Sequence, residues 1–69
     1  MNEDIHIGNL IKETLHNHGR SIGWLAKQIS CDRSNFYRIL QKQSIDTQLL
    51  FRISRIMQHD FFVYYSKVV

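Results

Sequence analysis

Residues 22–40 constrain the fold more than any other part of this chain, because their pattern predicts two short helices joined by a tight turn. Ala26 is small enough to let the second helix of the pair cross the first at close range. The apolar positions of both helices fall on one seam, formed by Leu25, Ile29, Cys31, Phe36 and Ile39. The opposite face of the second helix is polar and consists of Arg33, Ser34, Asn35, Tyr37 and Arg38. These donor-rich, partly cationic side chains match the acceptor-rich major groove of DNA and its flanking phosphates.

The length and composition of the chain favour one small all-helical domain over residues 1–69. A chain of 69 residues builds a core that is barely sufficient and leaves no room for a deep catalytic cleft, so an enzyme is not expected. The absence of proline and the low glycine content favour helices over disorder. No run approaches the roughly 20 apolar residues of a membrane-spanning helix, and no segment has the order of a signal peptide. The single cysteine, Cys31, fits a reducing cytoplasm.

The positive charge is concentrated in the middle of the chain. Between residues 17 and 58 the cations are Arg20, Lys27, Arg33, Arg38, Lys42, Arg52 and Arg55. The acids in this segment are Asp32 and Asp46, and both stand where a helix N-cap is expected. The segment therefore predicts a positive field that attracts a polyanion by counterion release. The same charges also fit an ordinary solvated surface, and the sequence leaves both interpretations open.

Start and stop signals predict five helices along the chain. The first spans about residues 5–17 and stops at Gly19, the second ends near Ser30, and the third closes near Gln41. The predicted N-caps are, in chain order, Asp4, Ser21, Asp32, either Asp46 or Ser44, and Asp60. Residues 42–45 are expected to form the loop between the third and fourth helices.

The predicted core consists of Leu10, Leu15, Leu25, Ala26, Ile29, Phe36, Ile39, Ile53 and Ile56. Apolar residues that share a face with it are Ile7 and Ile11 in the first helix, Trp24 in the second, and Leu49, Leu50 and Met57 in the fourth. The fifth helix carries the aromatic residues Phe61, Phe62, Tyr64 and Tyr65. At least two of these rings must complete the core, and the others, with Val68 and Val69, predict an exposed apolar patch suited to a subunit contact. A frayed terminus with scattered exposed rings is the alternative.

The pattern over most of the chain combines Ala26 at the helix crossing, Asp32 as a cap, Phe36 and Ile39 as anchors, and a Leu-x-x-Ile-x-x-x-Met spacing from Leu50 to Met57. In these features the chain resembles the Cro- and lambda-repressor-like (XRE-type) family of bacterial and phage transcriptional regulators. The chain departs from the family at Ser30, where glycine is usual, and at Phe36, where a small aliphatic residue is usual. A serine forced to positive φ there carries some backbone strain.

The resemblance implies an all-α, five-helix lambda-repressor-like DNA-binding domain with a helix-turn-helix at helices 2 and 3. It implies that base edges are contacted from early in the third helix, by Arg33, Ser34 and Arg38. Residues expected at the DNA backbone are Ser21, Ile22, Asn35, Tyr37, Lys42, Gln43, Ser44 and the amides near Asp46. The implied protein is a cytoplasmic, sequence-specific regulator that represses by occupying its site, with no catalysis, cofactor or small-molecule substrate.

Two further hypotheses concern partners. One recognition helix reads too few base pairs to select a genomic site, so a homodimer on double-stranded DNA is expected, with the C-terminal aromatic segment as its contact. The alternative function is a protein-interaction module or antitoxin-like adaptor that uses the same fold.

Other candidate sites have simpler explanations. The spacings of His6, His16, His18 and His59 do not bring two imidazoles one helical turn apart, so a metal site is not expected. Cys31 lies between Ile29 and Phe36 in the apolar seam, which predicts a buried structural thiol and not a nucleophile. Trp24 next to Leu25 predicts a core or partly buried position and not a ligand platform.

Overall fold

Five α-helices form most of residues 5–66, the part of the chain that the computed structural model describes. They are α1 (Ile7–Asn17), α2 (Ile22–Gln28), α3 (Arg33–Gln41), α4 (Thr47–Met57) and α5 (Val63–Ser66). The described residues contain no strand, so the predicted all-helical class is confirmed. Within the same range, every helix is too short and too polar to cross a bilayer.

Three of the predicted N-caps begin helices as expected. Ser21, Asp32 and Asp46 each accept a hydrogen bond, through a side-chain oxygen, from the backbone amide three residues further on, at 3.0 to 3.1 Å. These bonds satisfy amide groups that have no partner in the first turn of a helix. The cap of α4 is therefore Asp46, and Ser44 remains in the preceding loop.

The first helix begins later than predicted, at Ile7 and not at residue 5, because His6 is its N-cap. The Nδ1 atom of His6 accepts a hydrogen bond from the amide of Asn9 at 3.1 Å. Since Nδ1 is the acceptor, Nε2 carries the proton and donates to the carbonyl oxygen of Gln41, 3.0 Å away. The amide of Ile7 donates to the carbonyl of Gln43 at 3.1 Å, so the start of α1 is fixed to the end of α3. The predicted cap Asp4 lies outside the described residues.

Twelve apolar residues form the buried core, namely Ile7, Ile11, Leu15, Leu25, Ala26, Ile29, Phe36, Leu40, Leu50, Ile53, Met57 and Phe61. Three predicted core residues, Leu10, Ile39 and Ile56, are only half-buried and pack against its edge. Each stands one position before a buried residue and is thus rotated by about 100° around its helix. The half-buried Trp24 and Leu49 have the same relation to Leu25 and Leu50.

The connection between α2 and α3 bends through Ser30, whose φ of 56° lies in the left-handed region as predicted. The helix itself ends at Gln28, slightly before the predicted position. The amide of Cys31 then donates to the carbonyl of Ala26 at 2.8 Å, which closes the turn. Cys31 is half-buried and not fully buried as predicted, because it lies in this surface connection and not on a helix.

The backbones of α1 and α3 approach each other closely at Gly8, a residue that the sequence analysis did not single out. A Cβ atom at this position would overlap the carbonyl oxygen of Leu40 and lie 2.6 Å from its carbonyl carbon. Only glycine allows the two backbones to approach this far. Gly19 is required for a different reason, because its φ of 69° lies in the left-handed region that glycine adopts readily. It ends the turn after α1, as predicted.

The aromatic segment contributes less to the core than predicted. Phe61 is fully buried, whereas Phe62, Tyr64 and Tyr65 are half-buried against the core surface. The helix begins at Val63, because Phe61 and Phe62 form the turn before it. The Asp60 carboxylate accepts from the amide of Phe62 at 3.0 Å, so it stabilises this turn. Val68 and Val69, predicted for the exposed patch, lie outside the described residues.

Candidate nucleic-acid interface

The outward face of α3 carries the five polar side chains that the sequence placed there. Arg33, Ser34, Asn35, Tyr37 and Arg38 are all exposed. The inward face buries Phe36 and Leu40 completely, and these two residues, four positions apart, anchor α3 on the core. The rotation of α3 about its own axis is therefore fixed by packing.

Arg33 connects the start of α3 to the start of α2. Its Cδ and Nε atoms lie 3.7 Å from the point that a Cβ of Gly23 would occupy, and the hydroxyl of Ser21 lies 3.8 Å from the same point. On its other side, the guanidinium lies 5.9 Å from the ring centre of Tyr37. The structure thus brings Arg33 and Ser21 together at the junction of the two helices.

Tyr37 and Asn35, both predicted at the DNA backbone, also have partners within the protein. The ring of Tyr37 is 39% exposed and supports the Arg33 guanidinium by a cation–π contact. The side-chain amide of Asn35 donates a long hydrogen bond to the Cys31 sulfur at 3.8 Å. Both side chains therefore help to order the start of α3 in the free protein.

Arg20 is a cation at this surface that the sequence pattern did not assign to the site. It is exposed, it precedes the α2 cap Ser21, and its guanidinium lies 4.5 Å from the ring centre of Trp24. Trp24 is half-buried, in agreement with the prediction of a partial core position. The signal was present in the sequence, because Arg and Trp four residues apart suit such a stacked pair.

Of the remaining residues predicted at the DNA backbone, all but Ile22 lie between α3 and α4. Lys42, Gln43 and Ser44 are exposed in this loop, directly after the last turn of α3. The carboxylate of Asp46 is engaged by the amide of Leu49, so it caps α4. Ile22 is half-buried, which leaves its backbone amide as the group able to meet a phosphate at the start of α2.

The two acidic residues near this surface cap helices. Asp32 and Asp46 both accept hydrogen bonds from backbone amides at helix starts. The exposed cations of α3 and its surroundings, Arg20, Arg33, Arg38 and Lys42, outnumber these two carboxylates and set the sign of the field. The arrangement suits an extended polyanion.

The histidines, the cysteine and the acidic residues form no cluster suited to a metal ion in the part of the chain that the structure describes. Within residues 5–66, no three His, Cys, Asp or Glu side chains are placed to hold a metal ion. Two of the histidines have structural partners: His6 caps α1, and the Nε2 of His59 lies 2.8 Å from the hydroxyl of Tyr64.

Comparisons with protein-family models, with curated proteins and with solved structures give no match to this chain. The function is therefore inferred from the residues themselves and from the surface that they form.

Proposed function

We propose that this protein is a sequence-specific regulator that binds double-stranded DNA, with α2 and α3 acting as a lambda-repressor-like helix-turn-helix. The observation that supports this proposal best is the position of Arg33 and Arg38 on the exposed face of an α3 that is anchored by buried Phe36 and Leu40. Such a helix presents donors at fixed positions to a groove full of acceptors. Repression by occupying a site in the cytoplasm requires no further chemistry.

The dimensions of α3 suit the major groove. An α-helix with its side chains is about 10–12 Å in diameter, which fits the width of the major groove, about 12 Å. Arg33 and Arg38 each carry two parallel donors that match the O6 and N7 acceptors of guanine. Ser34, exposed beside Arg33, accepts or donates at a neighbouring base edge.

Phosphate contacts flank this helix on two sides. Arg20 and Ser21 lie at the start of α2, and Lys42 lies in the loop after α3. Stacking on Trp24 restricts the guanidinium of Arg20 before DNA arrives, which lowers the entropy cost of a phosphate contact. These contacts position the protein and carry no sequence information.

A protein-interaction or adaptor function is the second candidate, and one observation favours it. Tyr37 and Arg33 form an exposed cation–π pair, and tyrosine and arginine are enriched in protein interfaces. Affinity for random duplex that falls steeply with salt distinguishes DNA binding from this alternative.

The test compares Arg33→Ala and Arg38→Ala with Lys42→Ala. A preferred site is first selected from a random duplex pool, and each variant is then titrated against that site and a scrambled duplex at several salt concentrations. Loss of a bidentate arginine should cost about 1–3 kcal/mol and relax the preference at one base position. Loss of the lysine should weaken all sequences alike and reduce the salt slope by about one.

Lys12→Ala on α1 is the control, because Lys12 lies outside the proposed interface and its loss should change neither affinity nor slope. If both arginine variants keep the wild-type ratio of specific to random affinity, α3 is not the helix that contacts the bases. If the selection retains no duplex, the DNA-binding proposal is wrong.

A further inference from the structure

A groove of about 340 Å³ on α4 is bordered by two arginines. This α4 groove is lined by Arg52, Arg55 and Ile56. Both arginines are exposed, whereas Ile56 is half-buried and packs against the core. The α4 groove therefore combines two cationic side chains with an apolar one, and no acidic residue of the described chain lines it.

Phe51 lies beside the α4 groove and is the most exposed large apolar side chain of the described residues, at 53%. The guanidinium of Arg55 lies 5.9 Å from the centre of its ring. Phe51 and Arg52 also line a neighbouring groove, of about 490 Å³, at the start of α4. One face of α4 thus presents an exposed ring next to two guanidinium groups. Aromatic residues and arginine are enriched in protein-binding surfaces.

Both arginines are held by contacts within the protein. Arg52 donates a hydrogen bond to the carbonyl oxygen of Ile29, at the end of α2, over 3.1 Å. This bond occupies one N–H group, and the guanidinium carries further donors. Arg55 is restricted by its cation–π contact with Phe51. Guanidinium groups that are ordered in advance lose less side-chain entropy when they bind an anionic group.

The carboxylates near the two ends of α4 are bound by backbone amides. Asp46 accepts from the amide of Leu49 at 3.1 Å, and Asp60 accepts from the amide of Phe62 at 3.0 Å. Both carboxylates line the neighbouring grooves and not the α4 groove itself. Because the amides that they bind offset part of their negative charge, the α4 groove keeps a positive field.

The α4 groove lies away from the proposed DNA contacts. Arg52 binds the end of α2 at Ile29, whereas Arg33 lies beside Ser21 at its start. The 7 residues of α2 separate these two ends by about 10 Å, at 1.5 Å per residue. A phosphate backbone would also leave the ring of Phe51 without an apolar partner. The α4 groove is therefore available while DNA occupies the proposed interface.

We propose that the α4 groove, together with Phe51, binds a short acidic segment of a different protein. A carboxylate of the segment enters between Arg52 and Arg55, whose paired donors suit it, and an apolar side chain of the segment covers Phe51. Charge complementarity selects this class of partner, because the two arginines and the net charge of +3 on the chain attract acidic groups. The contact needs no DNA, so it goes beyond the proposed function.

The test begins with a random library of short peptides displayed on phage and selected on the full chain without DNA. The probe is the most enriched peptide, labelled with a fluorophore and titrated by anisotropy. Its control is a copy in which Asn and Gln replace Asp and Glu. We expect the library to enrich acidic residues next to an apolar residue, and the amide copy to bind at least about tenfold more weakly.

Substitutions on α4 locate the binding site. Phe51→Ser and Arg55→Gln should each weaken the acidic peptide at least about fivefold, and Arg55→Lys should weaken it less because the charge remains. Arg55 is chosen over Arg52 because the bond from Arg52 to Ile29 contributes to the fold. Lys12→Gln is the matched control, since it removes one cation that lines none of these grooves. Its affinity should stay within about twofold of wild type. Circular dichroism checks that each variant is folded.

A library that enriches no acidic peptide, or a folded Phe51→Ser variant that binds the peptide like wild type, would overturn the proposal. Two other occupants of the α4 groove would also overturn it. A second copy is shown by wild-type dimers that Phe51→Ser dissociates in sedimentation equilibrium, and DNA is shown by duplex that competes with the peptide.

Duplex titration separates this proposal from the proposed function. Phe51→Ser should bind the selected duplex like wild type, because Phe51 lies outside the proposed DNA contacts. Peptide binding without duplex binding leaves the α4 groove intact and removes the DNA-binding function. Duplex binding without peptide binding does the opposite.

Discussion

Replacing Gly8 with alanine tests a close approach between the backbones of α1 and α3. In α1, Gly8 faces the backbone of Leu40 in α3 so closely that a methyl group would overlap the carbonyl oxygen and lie 2.6 Å from the carbonyl carbon. A backbone group cannot rotate away as a flexible side chain does. The two helices must therefore separate at this point, although hydrogen bonds from His6 and Ile7 hold the start of α1 to the end of α3.

Two opposing effects set the size of the change. Alanine favours a helix interior over glycine by about 1 kcal/mol. Overpacking a tight contact costs about 1–3 kcal/mol, and a clash with backbone belongs at the upper end of that range. We expect Gly8→Ala to lower the free energy of unfolding by about 2 kcal/mol, which for a domain of this size is a fall of about 8–16 °C in melting temperature.

The assay is urea and thermal unfolding followed by circular dichroism. Asn9→Ala is the matched control, because Asn9 is exposed on the same turn of α1 and alanine there should be neutral or slightly stabilising. A Gly8→Ala variant as stable as wild type, or more so, would show that helix propensity exceeds the clash. The close contact between α1 and α3 would then not be a determinant of the fold.

Two further substitutions probe the α2–α3 pair. Enlarging the buried Ala26 to leucine should push the helices apart and cost about 1–3 kcal/mol in urea unfolding; unchanged stability together with unchanged DNA affinity would place the crossing elsewhere. Ser30→Gly should stabilise by about 0.5–1 kcal/mol, because glycine tolerates the positive φ that serine adopts there. Gly19→Ala, at a φ of 69°, should have the opposite effect, and equal melting temperatures for both variants would contradict the strain argument.

Local rules predicted the helix starts and turns well. Ser21, Asp32 and Asp46 were identified because a side-chain acceptor three residues before a free amide is a short-range relation that sequence displays directly. The predicted start of α1 was wrong, because the N-cap residue His6 depends on a tertiary partner. Its ring also donates to Gln41 in α3, and no local pattern contains that contact.

Packing was harder to predict than helix position. The sequence placed Leu10, Ile39 and Ile56 in the core, but in each case the next residue is buried more deeply. Two adjacent apolar residues leave the rotation of a helix undetermined, and contacts between helices decide it. Gly8 carried a usable signal, because a glycine inside a helix is unfavourable unless another backbone comes close.

To predict the candidate site one must know which side chains are exposed, and composition alone does not show this. The polar face of α3 followed from spacing, yet the positions of Arg20 beside the proposed DNA interface and of Phe51 on the exposed side of α4 were not predicted. Both take part in cation–π contacts between an arginine and an aromatic residue four positions away. This spacing is visible in the sequence, so a search for arginine–aromatic pairs four residues apart finds both residues, although Arg20 precedes its helix.

These cation–π pairs connect the fold to the proposed function. Ordering a free arginine costs about 2 kcal/mol of side-chain entropy, which would oppose each contact of the guanidinium with DNA in the proposed complex. The cation–π contacts of Arg20 with Trp24 and of Arg33 with Tyr37 restrict both guanidinium groups in the free protein. Part of this entropy is therefore lost during folding and not during binding. Arg38 forms no such cation–π contact among the described residues, so its proposed contact with a base should be weaker than that of Arg33, and Arg38→Ala should lose less specificity than Arg33→Ala.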